Sequence, residues 1–151
     1  DDADVKALAA STYDIDEYVV DIAKKEGLTR GLKPLDGSVA LHQACHSRAQ
    51  NFGQKSAEML NFIPDLSLNV IERCSGHGGS WGMMKDNFKT AIKVGKPAAR
   101  QASKANPKYV VSGCPLAGEH ILQGIDFLGG SDKRPKNANH PIEILAKAYN
   151  L

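Results

Sequence analysis

Three cysteines each follow a short apolar run: Cys45 after Val39-Ala-Leu, Cys74 after Leu68-Asn-Val-Ile, and Cys114 after Tyr109-Val-Val. A thiolate is a soft ligand that favours zinc or iron–sulfur over magnesium or calcium. The spacings between them, 29 and 40 residues, are each about one strand-helix unit, and no Cys-x-x-Cys pair occurs. Three cysteines cannot form a complete set of internal disulfides, and the sequence opens with no export signal. The thiols are therefore buried groups, redox groups or metal ligands, and their matching positions favour the last.

Three thiolates fall one short of the four that structural zinc and standard clusters usually take. His77, three residues beyond Cys74, is the leading candidate for a fourth ligand, followed by His42, His46 and His140. Any one histidine taken alone is more often hydrogen-bonded than metal-bound. Between Cys74 and the next helix lies Ser-Gly-His-Gly-Gly-Ser-Trp-Gly. There Gly76, Gly78 and Gly79 let the backbone approach a cofactor closely, with amides free to face sulfur or an anion. A dinucleotide fingerprint starting at Gly76 would need glycine at position 81, which is Trp81, and no Gly-Lys-Ser/Thr follows. Trp81 is expected to cover the site. Cys45 beside His46 lacks an identifiable orienting group for nucleophilic catalysis, and Glu72 with Asp86 makes no argued carboxylate pair.

The elements that must position these groups alternate. Asp14 caps a helix whose stripe is Ile15, Tyr18, Val19 and Ile22, with Glu17 completing a capping-box-like start and Gly27 ending it. Thr29 to Gly37 is turn-rich, and residues 38–44 form the first strand. A helix is expected over residues 47–62, with Phe52, Met59, Leu60 and Ile63 on its apolar side, and a strand over residues 68–73. Residues 83–105 make a long helix expected to kink or break at Gly95 and Pro97. A strand over residues 109–112 and a helix over residues 116–125 follow. Residues 129–139 form a polar loop needing no structure, and His140-Pro141 opens a final short helix.

This alternation implies an α/β fold, a three-layer Rossmann-like sandwich around a parallel sheet of three strands, or four if Phe127-Leu128 adds one. In such sheets ligands are held beyond the carboxyl ends of the strands, where all three cysteines would stand. Adjacent strands lie about 4.8 Å apart, so residues leaving neighbouring ends can fall within about 10 Å of one another.

At 151 residues the chain is expected to be one domain spanning 1–151, its first 12 residues a frayed segment. Net charge is +2, and lysines and arginines look scattered along the sequence, so no footprint for nucleic acid stands out. No apolar run approaches the ~20 residues that cross a bilayer. The expectation is a soluble, cytoplasmic protein. The chain begins with Asp1 rather than methionine, which suggests a processed chain or a domain cut from a longer one.

The sequence resembles the cysteine-rich CCG domain family, found in heterodisulfide reductases, in the iron–sulfur subunits of glycolate oxidase and in the iron–sulfur subunit of anaerobic glycerol-3-phosphate dehydrogenase. The resemblance is strongest to the last group. It runs from Tyr13 to Leu151 through Lys33-Pro-Leu, Leu41-His-Gln-Ala-Cys45-His46, Arg48-Ala-Gln-Asn51, Glu72-Arg-Cys74-Ser-Gly-His77, Cys114-Pro-Leu-Ala-Gly118 and His140-Pro-Ile142. It implies the carboxy-terminal part of a longer electron-transfer protein whose missing portion carries ferredoxin-type clusters. In the fuller motif a second cysteine follows position 74, where this chain has Ser75, and Cys-x-x-Cys follows the last strand, where this chain has Cys114 and Ala117. The motif's five thiolates are here three. A 4Fe-4S cubane with a histidine, water or open position at one iron, or a 3Fe-4S cluster, fits that count better than the unusual non-cubane cluster.

The resulting expectation is an iron–sulfur electron-transfer domain of a respiratory-type oxidoreductase, a subunit or domain rather than a complete catalyst. Cys45, Cys74, Cys114 and His77 are its expected ligands. Its expected partners are a dehydrogenase subunit or ferredoxin-type domain, with electrons passing towards quinone, on the cytoplasmic face of a membrane through that partner. The alternatives are a Cys3His zinc site, structural or Lewis-acidic, and a metal-free docking module with buried thiols.

Overall fold

The computed structural model describes residues 2–51 and 53–151. Three parallel strands, β1 (Val39–His42), β2 (Leu68–Ile71) and β3 (Tyr109–Ser112), form a sheet in the order β2-β1-β3. Residues Val39, Leu68 and Tyr109 lie in register, as do His42, Ile71 and Ser112 at the carboxyl ends. The central strand is buried at all four positions, as expected of a strand covered on both faces. Alternation along the strands then divides the core. Val39, Leu41 and Val111 pack with Val20, Met59, Leu60, Ile144 and Leu145 on one face. Ala40, Ile71 and Val110 pack with Ala98, Ala99, Ile121 and Leu122 on the other.

The first face is covered by α2 (Ile15–Lys25), α4 (Lys55–Leu60) and α7 (Pro141–Ala148), and the second by α5 (Lys85–Ala105) and α6 (Pro115–Phe127). This is the expected three-layer α/β architecture. Short helices α1 (Ala3–Ala10) and α3 (Cys45–Ala49) complete the set, α1 burying no residue.

Several local expectations give way to the packing. The helix expected over residues 47–62 is two helices, α3 and α4, because Asn51 (φ 58°) and Gly53 (φ 88°) turn the chain left-handed between them. Phe52, placed on its apolar side, lies outside the described residues. The long helix does not break: α5 runs through Gly95 and Pro97. Pro97 and Lys93 are both exposed, so the carbonyl that Pro97 cannot satisfy is on the solvent side. Gly95 gives the helix its contact with the loop after Cys74, since a Cβ there would collide with the Ser75 carbonyl.

No fourth strand forms at Phe127-Leu128, where Phe127 closes α6 and Leu128 caps it. The expected structureless loop is instead tied down. Asn139 bridges to β3, donating its N–H to the Val110 carbonyl (2.9 Å) and accepting from the Ser112 N–H (3.0 Å). Arg134 forks onto the Asp126 carboxylate at 2.6 and 2.8 Å. On α2 the buried residues are Asp16 and Val20, while Ile15 and Tyr18 are exposed, so the buried stripe is rotated from the expected one. No helix among the described residues is long and apolar enough to cross a membrane.

Candidate metal centre

Each strand delivers its cysteine within two or three residues of its end, because the apolar run stops where the sheet stops. Cys45 opens α3 directly after β1, and Cys114 is the N-cap of α6, with Pro115 in the first-turn position that proline tolerates. Cys74 follows β2 and leads into the glycine loop. All three are free thiols, Cys45 and Cys74 exposed and Cys114 half-buried.

A cavity of about 200 Å³ opens at this rim, lined by His42, Ala44, Cys45, His46, Ser75, His77, Cys114 and Ala117. Two of the three cysteines and the leading candidate histidine therefore share one wall. Cys74 lies outside that wall, its Sγ accepting a long hydrogen bond from the Gly76 amide (3.4 Å). Trp81, expected as a cover, is 43% exposed on a 3₁₀ turn and is not part of the wall. Among the described residues no three His, Cys, Asp or Glu side chains stand together as a ready metal shell.

The loop orients His77. Its Nδ1 lies 3.0 Å from the Gly79 carbonyl, which can only accept, so Nδ1 carries the proton. Nε2 then presents its lone pair 3.6 Å from the Cys114 Sγ. Metal-binding histidines are commonly held in this way, with the far N–H on a backbone carbonyl. The glycines divide the loop's work. Gly76 (φ 90°) packs on α5, where a Cβ would strike the Ala91 carbonyl and approach Gly95 N to 2.6 Å, whereas Gly79 (φ 65°) faces open space. Thiols and an imidazole lone pair around one cavity suit a soft metal or an iron–sulfur cluster.

His42, ranked only as a reserve ligand, has a different place. It is 1% exposed, with Nε2 donating to the Arg73 carbonyl at 2.9 Å. Its Nδ1 accepts from the Ser112 hydroxyl at 3.1 Å, and that oxygen in turn accepts the Cys114 N–H at 3.2 Å. One imidazole at the end of the central strand thus links the ends of both flanking strands, next to Cys74 on one side and at Cys114 on the other. Burial pushes its pKa down, opposed by the Arg73 carbonyl and assisted by the positive charge His77 can carry. His140 is the N-cap of α7, its Nδ1 accepting from the Ile142 N–H at 3.3 Å. His46 lines the cavity but is exposed.

Sequence reasoning missed Ser112 and the linking role of His42. The available signal was that His42 and Ser112 end β1 and β3 in register, with polar side chains where core residues were due. It also missed His120, buried on α6 with its ring edge-on to Phe88 at 5.8 Å and its pKa lowered by burial. Nothing in its helical position marks it out.

The molecule is a small parallel α/β domain with thiol and imidazole groups at the carboxyl rim of its sheet. Comparison with known proteins gives the kinship. The chain is 32% identical over 124 residues to one of the subunits of the anaerobic glycerol-3-phosphate dehydrogenase of Escherichia coli, covering 82% of this chain and 29% of that protein. It is 30% identical over 123 residues to one of the subunits of the CoM/CoB fumarate reductase of Methanothermobacter marburgensis, covering 79% of this chain and 24% of the relative. In the dihydromethanophenazine:CoB–CoM heterodisulfide reductase of Methanosarcina acetivorans, one of the subunits is 26% identical over 144 residues, covering 91% of this chain and 34% of the relative. The chain spans about a quarter to a third of the length of these relatives. No family model matches it, and no solved structure matches significantly. The chain is a homologue of part of these dehydrogenase and reductase subunits, in keeping with the resemblance its cysteine motifs carry.

Proposed function

We propose that residues 1–151 are a cysteine-rich domain, the carboxy-terminal part of a longer electron-transfer protein, that binds an iron–sulfur cluster through Cys45, Cys74 and Cys114 with His77 as fourth donor. The observation that carries this reading is the cavity wall. The family motif has cysteine at five positions, and four of them, Cys45, Ser75, Cys114 and Ala117, line one cavity here. Cys74, the fifth, is adjacent to Ser75 in the chain. The names of the relatives support the same cofactor, since an iron–sulfur protein of Methanocaldococcus jannaschii is 30% identical over 148 residues.

When bound, such a cluster supplies a one-electron carrier. The chain's own part is to hold three thiolates, to orient the His77 ring through the Nδ1 bond to the Gly79 carbonyl so that Nε2 faces the cavity, and to set amides such as that of Gly76 against sulfur. Amide donors near the sulfurs tune the potential, and Gly76, Gly78 and Gly79 would lie in the cofactor's surroundings, as the Gly76 amide bond to the Cys74 sulfur supports. Three thiolates favour a 4Fe-4S cluster with a non-cysteine position or a 3Fe-4S cluster. Electrons would arrive from a dehydrogenase subunit or ferredoxin-type domain and leave towards quinone at the cytoplasmic side of a membrane.

Anaerobic reconstitution with iron and sulfide, followed by iron and sulfide analysis, absorption and EPR spectroscopy, tests the reading. Broad visible absorption with near-stoichiometric iron and sulfide, lost in Cys114→Ser, is the expected result. A colourless protein holding one zinc per chain overturns it.

A further inference from the structure

The lysines and arginines that look scattered along the sequence are gathered by the fold. Helix α5 carries Lys85, Lys89, Lys93, Lys96, Arg100 and Lys104 at spacings of four, four, three, four and four. With 3.6 residues per turn these fall in one arc of roughly 100° and run about 28 Å along the axis. All six are exposed. The helix holds one acid, Asp86, so its net charge is +5, and with the whole chain at +2 the remainder is −3. A near-neutral total conceals a concentrated positive helix.

Five cations elsewhere in the chain are neutralised by a neighbouring carboxylate. Lys24, Lys25, Lys55, Lys108 and Arg134 each reach a carboxylate within 3.2 Å. Among the described residues none of the six on α5 has an ion-pair partner. Like charges three and four residues apart repel along a helix, so the row opposes helix formation unless a partner neutralises it.

Beside the row lies a groove of about 200 Å³ between α5 and the end of α6, walled by Lys89, Lys93 and Lys96 and floored by Ile92, Gly124, Phe127 and Leu128. Phe127 is 63% exposed, although it closes a largely buried helix.

We propose that this face of α5, with the adjoining groove, docks an acidic helical face of a partner protein that sets carboxylates against the lysine row and an apolar side chain against Phe127. A single file of cations matches a partner helix bearing acids at i, i+3 and i+4, and a parallel apolar groove matches its anchor residues. A bilayer or a nucleic acid would meet the same cations, but a narrow file of charge with an apolar groove running beside it matches the two adjoining faces of an acidic amphipathic helix. The surface is independent of the cluster reading. Electrostatic docking of this kind raises association rates and fades with salt, as suits exchange between redox partners.

The test titrates the isotopically labelled chain, followed by NMR, with a synthetic helical peptide carrying glutamates at i, i+4 and leucines on the adjacent face. Shifts should concentrate at Lys89, Lys93, Lys96, Phe127 and Leu128, and affinity should fall about tenfold between low salt and roughly 0.3 M salt. Lys89→Glu/Lys93→Glu/Lys96→Glu should weaken binding at least tenfold. Phe127→Ala should weaken it several-fold without changing the salt slope. The charge-matched control Lys33→Glu/Lys136→Glu/Lys147→Glu should bind within twofold of the parent. The inference is overturned if the peptide does not bind, if the control loses as much affinity as the α5 variant, or if Phe127→Ala has no effect. It is equally overturned if vesicles of phosphatidylcholine and phosphatidylserine, or a DNA duplex, bind through the row more tightly than the peptide.

Discussion

Replacing His42 with leucine removes a side chain that joins all three strand ends. Two hydrogen bonds are lost, to the Arg73 carbonyl at 2.9 Å and from the Ser112 hydroxyl at 3.1 Å. Each is worth about 1 kcal/mol net, and a carbonyl left unpaired away from water costs a further ~1–3 kcal/mol. Ser112 keeps its bond from the Cys114 amide, and Arg73 is exposed enough for water to reach its carbonyl. The loss should therefore be about 2–3 kcal/mol. At roughly 2–4 °C per kcal/mol for a domain of this size, the melting temperature should fall by about 4–12 °C.

The pH dependence carries a definite sign. His42 has its pKa lowered by burial, so as pH falls the unfolded chain takes up the proton first. The stability His42 contributes is present above the unfolded value of about 6.5 and is lost as pH falls from there towards the folded value. Urea unfolding at pH 7.5 and pH 5.5 should show a larger gap between parent and variant at the higher pH. His42→Gln, which can keep the donor to Arg73, should recover part of the loss. If the leucine variant is as stable as the parent, or the gap widens in acid, the linking role is refuted.

Other perturbations separate the parts of the rim. Gly76→Ala should cost about 3 kcal/mol, because the new methyl meets α5 backbone at a positive φ, whereas Gly79→Ala, with open space around it, should cost about 1 kcal/mol; thermal melts of the two compare them directly. Asp16 is 2% exposed, its Oδ2 bound by the Ser56 hydroxyl at 2.5 Å and its Oδ1 unpartnered, and burial raises its pKa. Its charge therefore costs stability as pH rises above about 3.8, so Asp16→Asn should be at least as stable as the parent at pH 7 and lose that advantage near pH 4, as read by urea midpoints. His77→Ala should leave the fold intact by circular dichroism and change the EPR spectrum of reconstituted protein. Ser75→Cys with Ala117→Cys restores thiols at two positions on the cavity wall, and iron bound per chain should rise; unchanged iron would mean that the cavity is not where the metal sits.

How far this molecule can be read from its sequence depends on the range of the interaction. The strands were legible because a buried parallel strand is a short continuous apolar run, and Val39-Ala-Leu, Val70-Ile and Val110-Val are such runs. The cysteines followed at once, since they sit where the runs end. What failed was decided by groups distant in sequence. Pro97 ought to break a helix, yet its face is turned to solvent, and nothing local reveals that Gly95 is spent on contact with Ser75. Asn139 belongs to a polar loop by composition, but β3 presented an open edge and the loop satisfied it.

The same reasoning separates the two histidines of the rim. His77 was legible as a candidate donor because it stands on a glycine-rich loop three residues from a cysteine, and the structure brings it to the cavity beside Cys114. His42 follows a buried run, as a ligand also could, and only the register of β1 with β3 turns its ring onto Ser112 rather than into a coordination shell. With both nitrogens engaged inside the protein it has no lone pair left to give a metal, unless the Ser112 bond breaks. Its influence on a cofactor must pass through the chain at Arg73 and Ser112. A potential or EPR spectrum altered by His42→Gln, with the iron content unchanged, would be the mark of that indirect route.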